Sequence, residues 1–262
     1  MVAFSGPDPI GVLIGAKRPT GTLIHKIAVH PDHVRQGHGR HLLASLSSKL
    51  AILGPPRMIA EVPETLAPAC QLFSASGYVQ ETLLTDYVLD REENPSTRAE
   101  FPRSLGAGDH DVRQIVGAAA CPERAPQGGA SRMGFVIPVT VDDLAANGLL
   151  GEAHPQVCWE RSVETLTARK DDIAGLAVAS DERIEACLLY VERGVEGTEI
   201  VSLRSFVEDG GARLRQLLSR LGMGTFRFPK VQQTEISTEL LEALGFRPAG
   251  GHLLYAARAR SE

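Results

Sequence analysis

The sequence predicts an α/β protein, with helices packed on a mixed sheet and the arrangement built twice along the chain. Three observations predict it. Apolar runs of strand length alternate with helical apolar stripes through both halves. The order of elements is the same in each half: strand, strand, helix, strand, helix ending in Gly-aromatic, strand. The length, 262 residues, suits two domains, and the halves are separated by a stretch of different composition.

In chain order, "IGVLIGAK" and "TLIHKIAVH" read as strands joined by a Pro-Thr-Gly turn. A helix follows from His38 to Leu53, where Leu42, Leu43, Leu46 and Leu50 form one apolar stripe. "RMIAEV" is a strand, and "TLAPACQLFSASG" is a helix ended by Gly77. "YVQETLLTDYVLD" supplies one or two closing strands. From Arg91 to Arg132 the chain is rich in Pro, Gly, Ala and charge, which reads as a linker holding a short helix, "DVRQIVGAA". An ordered inter-domain arm fits that stretch equally well.

Beyond it, "VDDLAANGLL" and "SVETLTARKDD" read as helices, the second with Ser162 as N-cap. Strands "IAGLAVAS", "RIEACLLYVE" and "TEIVSLRSFV" come next. Then come helix "GARLRQLLSRLG", strand "TFRFPKV", helix "STELLEALGF" and a final strand, "HLLYAARA". "LFSASGY" and "LEALGF" match at the helix end, which supports an internal duplication. The expected division is residues 1–91, a linker at 92–132, and residues 133–262.

Composition narrows the function. The net charge is −5 and no basic stripe appears, so nucleic acid is excluded as the main partner; cationic or neutral small partners are favoured. Cys70, Cys121, Cys158 and Cys187 are scattered without a C-x-x-C pair. That argues against a disulfide framework or a zinc site and fits a reducing cytoplasm. "MVAFSGPDPIG" lacks the basic start and apolar stretch of a signal peptide, and no apolar run is long enough to span a bilayer.

The chemistry concentrates in "AVHPDHVRQGHGRHLL", Ala28 to Leu43. A strand runs into a glycine turn where a helix begins. The first amides of a helix have no partner and, with the helix dipole, make an anion site. Gly37 and Gly39 remove side chains, so a pyrophosphate can approach the backbone. Arg35, His38, Arg40 and His41 add positive or polar groups. A plain strand-to-helix turn would usually need one glycine. Neither G-x-x-x-x-G-K-[ST] nor G-x-G-x-x-G is present.

"IAVHPDHVRQGHGRHLL" resembles the acetyl-CoA loop of the GCN5-related N-acetyltransferases (GNAT), whose pattern is Arg or Gln, two residues, Gly, any residue, Gly or Ala. "ACQLFSASGY" is similar to the family helix that ends in Gly-Phe or Gly-Tyr. The resemblance covers about residues 10–90, and Val136 to Ala259 by element order alone. It implies two GNAT-like acyl-CoA N-acyltransferase domains in tandem, with "TLIHKIAVH" and "RMIAEV" as the two strands that splay into a V. Ile27, Ala28 and Val29 would pair with the pantetheine arm of acetyl-CoA. The amides of Val34, Arg35, Gln36, Gly37, His38, Gly39 and Arg40 would hold the pyrophosphate. The chain departs from the family at three positions: Val34 stands where the leading Arg or Gln falls, Leu66 where an Asn is common, and Phe73 where a Tyr often protonates the leaving thiolate. The family's opening helices, which wall the substrate cleft, have no equivalent before Met1. The chain is then a shortened version, or the second half or a second subunit supplies the wall.

The implied reaction is attack of an amine on the thioester. An alkylammonium has a pKa near ~10.4, so a base must take a proton near pH 7. His25 is the first candidate. Strict alternation puts it on the face of Leu23 and Ile27, and "LIHKIAVHP" resembles arylalkylamine N-acetyltransferases, which place a catalytic histidine there. A partly exposed histidine with no role is the plainer account. Glu61 is the second candidate base, acting directly or through water, against the plainer account of a solvated surface carboxylate. Tyr87 or a water would replace the missing tyrosine as acid. His30, His33, His38 and His41 lie around a turn with no completing ligand, so no metal site is expected.

In the second half the matching loop is "FVEDGGARLRQLL". Glu208 and Asp209 stand where a pyrophosphate would sit, and like charges repel. The second half is expected to be a structural partner that also shapes the substrate pocket. Trp159 and Cys158 are candidates to line that pocket, although core packing accounts for Trp159 more simply. The reading is therefore an N-acetyltransferase acting on a primary amine of a small molecule or peptide. A second copy of the chain is a further candidate partner, while nucleic acid and membrane are not. A non-catalytic acyl-CoA-binding or interaction module is the alternative, favoured by Val34, Leu66 and Phe73. A purely structural α/β protein is the third.

Overall fold

The computed structural model describes residues 1–91, 134–150 and 158–260. The expected linker helix, "DVRQIVGAA", and Cys121 lie outside them. The chain divides into two compact units. Unit 1 is Met1–Asp86 with Lys230–Gln232 and Ala249–Glu262; unit 2 is Tyr87–Pro229 with Gln233–Pro248.

In unit 1, β1 (Val2–Ser5), β2 (Asp8–Arg18), β3 (Gly21–Val29) and β4 (Arg57–Pro63) lie in sheet order. β1–β2 and β2–β3 pair antiparallel, whereas β3 and β4 run parallel. Helix α1 (His38–Leu53) connects β3 to β4, the crossover a parallel pair needs. Its buried residues are Leu42, Leu43, Leu46 and Leu50, the stripe that spacing alone predicts. Helix α2 (Ala67–Ala75) follows β4 and leads into β5 (Val79–Arg91), a single strand whose first part, to Asp86, belongs to this unit. Leu13, Ile24, Leu42, Leu46, Met58, Phe73 and Tyr255 share one core beneath the helices. Phe73 stacks on Tyr255 with ring centroids 5.8 Å apart.

Tyr255 comes from the far end of the chain. The last strand, β11 (Arg247–Arg258), pairs antiparallel with β4 from His252↔Pro63 to Arg258↔Arg57. The reading that this strand closes the second half is corrected here. Its apolar pattern identifies a strand, but a strand's partner is chosen by edge availability and side-chain fit, which local sequence does not encode.

Unit 2 repeats the plan. β6 (Phe135–Pro138), β7 (Ala174–Ala179), β8 (Ile184–Glu192) and β9 (Thr198–Ser205) form an antiparallel series, and β10 (Gly224–Val231) joins β9 in parallel. Helices α3 (Val141–Ala146), α4 (Val163–Ala168), α5 (Ala212–Arg220) and α6 (Thr238–Ala243) connect them. Ser162 caps α4 by accepting the N–H of Thr165. Thr140 and Asp143 form a reciprocal capping box on α3. Leu144, Leu166, Cys187, Leu189 and Val201 are central to this unit's core. Cys158 is also buried, and Trp159 stands on a 3-10 turn (Trp159–Arg161) between it and the buried Arg161. The guanidinium of Arg161 donates twice to Glu235, at 2.8 and 2.9 Å, and once to Pro229 O. It also lies 5.3 Å from the centre of the Phe228 ring.

Candidate functional site

The parallel pair β3–β4 opens into a gap. Its register holds only at Thr22↔Met58 and Leu23↔Ile59, and the strands continue unpaired to Val29 and Pro63. A bulge on β3 lies at the opening, because Ile14 faces Lys26 while Gly15 faces Ile24, leaving His25 as the extra residue. The bulge overturns the expected alternation. Ile24 and Ile27 both join the helix-side core, so Leu23 and Ile27 occupy opposite faces. His25 is exposed.

Beyond the bulge β3 keeps its ladder with β2 on one side only. His30 donates its N–H to Ile10 O at 2.7 Å. Antiparallel ladders alternate bonded and unbonded pairs, so Ala28, opposite Val12, also bonds toward β2. The amides and carbonyls of Ile27 and Val29 therefore turn toward the gap. Both a donor and an acceptor are presented there.

The chain then turns through a short 3-10 helix (Pro31–His33) into α1. Arg35 and Gly37 have positive φ, +62° and +89°, and Gly37 is the N-cap of α1 with no side-chain cap. The two glycines have different reasons. A Cβ on Gly37 would meet nothing within 4 Å, so the residue is needed for its left-handed backbone. A Cβ on Gly39 would lie 3.1 Å from Leu72 Cδ2, so that glycine lets α1 pack closely on α2. Arg40 donates to Ala75 O at 2.6 Å, which ties its guanidinium to the end of α2. Val34, Arg35, Gln36, His38 and His41 lie on the loop or first turn, with Val34 half exposed. Gln36 donates to Asp32 O. The rings of His30, His33 and His38 meet edge to face at about 6 Å. Among the described residues no group of three or more His, Cys, Asp or Glu side chains could hold a metal ion.

The corresponding helix start in unit 2 is closed. Asp209 accepts the N–H groups of Gly211 and Ala212 through Oδ1, at 2.9 and 3.1 Å, and of Arg213 through Oδ2, at 2.9 Å. The carboxylate occupies the anion position itself. β9 and β10 also pair over only two positions, Thr198↔Phe226 and Glu199↔Arg227, so the splay recurs there behind a capped helix.

On the face of unit 1 opposite α1 and α2 lies a polar cluster that sequence spacing did not reveal. Opposite residues of an antiparallel pair share a face, so Glu61 (opposite Leu254) and His252 (opposite Pro63) point the same way. The Glu61 side chain is 3 % exposed and pairs with Lys230 Nζ at 2.7 Å. It is therefore no solvated surface carboxylate. Lys230 has φ +54° and donates its backbone N–H to Asp86 Oδ1 at 2.8 Å. Asp86 Oδ2 lies 3.4 Å from His252 Nδ1. Burial alone would raise the Asp86 carboxyl, but hydrogen bonds from His252 and the Lys230 amide, with the charges of both residues, hold it below its ordinary value. Asp86 and Glu61 carry no sequence signature for this, since their partners stand 144 and 169 residues away.

Tyr87 belongs to unit 2. It is buried, and its hydroxyl lies 3.2 Å from Thr238 Oγ1. Phe73, at the position where a tyrosine would stand, is buried in the unit 1 core, and Leu66, the N-cap of α2, is exposed.

Residues 1–78 match the model of the acetyltransferase (GNAT) family, and the chain is a tandem-domain protein of GNAT fold. It is similar to a tandem GNAT protein from the clavulanic acid biosynthesis pathway, solved without AcCoA (17 % identity, 100 % of this chain and 82 % of that one, TM-score 0.56). It is also similar to a GCN5-related N-acetyltransferase from Sphaerobacter thermophilus (14 %, 97 % and 78 %, TM-score 0.58). A third similar structure is the glucosamine N-acetyltransferase region of a fungal multi-domain GH3 β-N-acetylglucosaminidase (12 %, 97 % and 32 %, TM-score 0.59). No curated protein matches the sequence. Among the described residues no helix is long and apolar enough to cross a membrane.

Proposed function

We propose that unit 1 binds acetyl-CoA and transfers its acetyl group to a primary amine of a small molecule or peptide, with unit 2 as a structural partner. The observation that carries this reading is the contrast between the two helix starts. α1 begins with uncapped amides beside a gap edged by Ile27 and Val29, whereas α5 begins with its amides held by Asp209. A diphosphate suits the first and is repelled by the second.

In this reading Arg35 to Arg40 hold the pyrophosphate through backbone N–H groups, the expected Val34 N–H being donated instead to Pro31 O, and Ile27 and Val29 pair with the pantetheine arm. An amide of β3 near Val29 steadies the developing oxyanion. His25 and Glu61 are candidate proton acceptors. The Glu61 carboxylate is already engaged by Lys230 Nζ at 2.7 Å and is 3 % exposed. A thiol pKa of about 8.5 makes CoA thiolate a fair leaving group without a tyrosine. Water is then the simplest acid, since the Tyr87 hydroxyl is engaged by Thr238. Cys70 and Cys187 are free thiols, which fits a reducing cytoplasm.

A thermal-shift series tests the reading. Acetyl-CoA and CoA should raise the melting temperature and ATP should not. No rise with either CoA species rejects it. Thiol release across an amine panel then tests turnover. The burial of Phe73 favours a second reading, a non-catalytic acyl-CoA-binding or interaction protein, for which binding without thiol release is the expected result.

A further inference from the structure

We propose that His252, oriented by Asp86, is the catalytic base that takes the proton from the acceptor amine. The inference rests on the acetyl-transfer reading of unit 1. All four residues of the polar cluster, Glu61, Asp86, Lys230 and His252, belong to that unit. His252 stands on β11 opposite Pro63, one strand beyond the gap, on the same face as Glu61 and away from the helices. Much of this face is buried, at Ile59, Glu61 and Leu254, and His252 lies where it stays partly exposed. Its buried Nδ1 lies 3.4 Å from Asp86 Oδ2, at ion-pair distance but outside hydrogen-bond geometry, and the side chain is 20 % exposed. A carboxylate on one ring nitrogen fixes the tautomer and leaves the other free to accept a proton. His25 has no such partner among the described contacts.

The Asp86 carboxylate on β5 faces the imidazole; the Lys230 amide on β10 bonds to Asp86, its ammonium pairs with Glu61 on β4, and Glu64 lies beside Gly251, the residue before His252. The nearest is Asp86, which favours the imidazolium that forms.

The step balances as follows. The acceptor ammonium gives one proton to His252 Nε2. Its nitrogen then bonds to the acetyl carbon, the carbon–sulfur bond breaks, and sulfur leaves with the bonding pair. The second proton lost by the nitrogen passes through water to the thiolate, and the imidazolium returns its proton to solvent.

The test uses the full chain, with acetyl-CoA and the best amine of a panel. His252→Gln should lower kcat/KM by ~10²–10⁴-fold, with the acetyl-CoA thermal shift unchanged. His252→Ala should be partly restored by added imidazole. In the wild type kcat/KM should show an acidic limb that His252→Gln removes. Asp86→Asn keeps an acceptor for the Lys230 amide but removes the charge, so this limb should move to lower pH as the rate drops. The inference is overturned if His252→Gln turns over normally, if imidazole restores nothing and the limb stays put in Asp86→Asn, or if His25→Ala alone abolishes the limb. Acetyl-CoA binding without turnover of any amine overturns it too. Absence of acetyl-CoA binding instead rejects the function proposed for unit 1.

Discussion

Replacing Glu235 with Gln should strip the counter-charge from a guanidinium that the fold has removed from water. The Arg161 side chain is 4 % exposed and that of Glu235 14 %, and the two meet in a fork with both bonds under 3 Å. A glutamine keeps the volume but leaves the cation facing a neutral amide, with Pro229 O and the Phe228 ring as its remaining named neighbours. Breaking a buried pair from one side costs about 3–5 kcal/mol, and the isosteric change belongs near the lower end. With a urea slope of ~2 kcal/mol/M, the unfolding midpoint should fall by about 1.5 M. The sequence has a single tryptophan, Trp159, on the same 3-10 turn as Arg161, so its fluorescence reports unfolding of this unit directly. The double change Arg161→Met with Glu235→Leu should recover most of the loss, because no charge is then left buried. A midpoint shift below ~0.3 M for Glu235→Gln would show that the pair is solvated and would refute the reasoning.

Gly37→Ala should destabilise unit 1 by ~1–2 kcal/mol, through its left-handed backbone alone. It should also weaken acetyl-CoA binding; Gly39→Ala should do less, since only the tips of Leu72 must move. Hydrogen exchange of the α1 amides compares the two. Asp86 has its carboxyl lowered on folding, so its contribution to stability is complete above the ordinary carboxyl pKa and is lost as pH falls through the lower folded value. The stability difference between wild type and Asp86→Asn should accordingly narrow below about pH 4, as followed by acid titration of unfolding. Burial pushes the Cys187 thiol up to about 11. At pH 8 roughly one part in a thousand is thiolate, so native-state alkylation read by mass spectrometry should spare Cys187 and label the half-buried Cys70 before it.

What could be read from the sequence was whatever periodicity and turn chemistry carry. Helix α1 starts and stops at His38 and Leu53 as the stripe and the flanking glycines indicate. β1 and β6 escaped, each four residues long and at a sheet edge, too short for alternation to register; Val2, Phe4 and Phe135 even face solvent. The bulge at His25 was invisible because one extra residue leaves no mark on composition while reversing every face beyond it. Asp209 was half legible. Its charge against an anion could be read, but not that it caps α5 in the anion's place. Glu61, Asp86, Lys230 and His252 meet through strand pairing over long separations, and no local pattern announces such a meeting.

The exchange of β11 sets a timetable for biogenesis. β4 waits, one edge bare, until residue 258 has cleared the ribosome, so the half made first is finished last. A chain stalled or clipped before Ala249 would keep its glycine turn yet offer a sticky sheet edge to its neighbours. Loss of residues 249–258 should thus surface as aggregation seeded by the bare edge of β4.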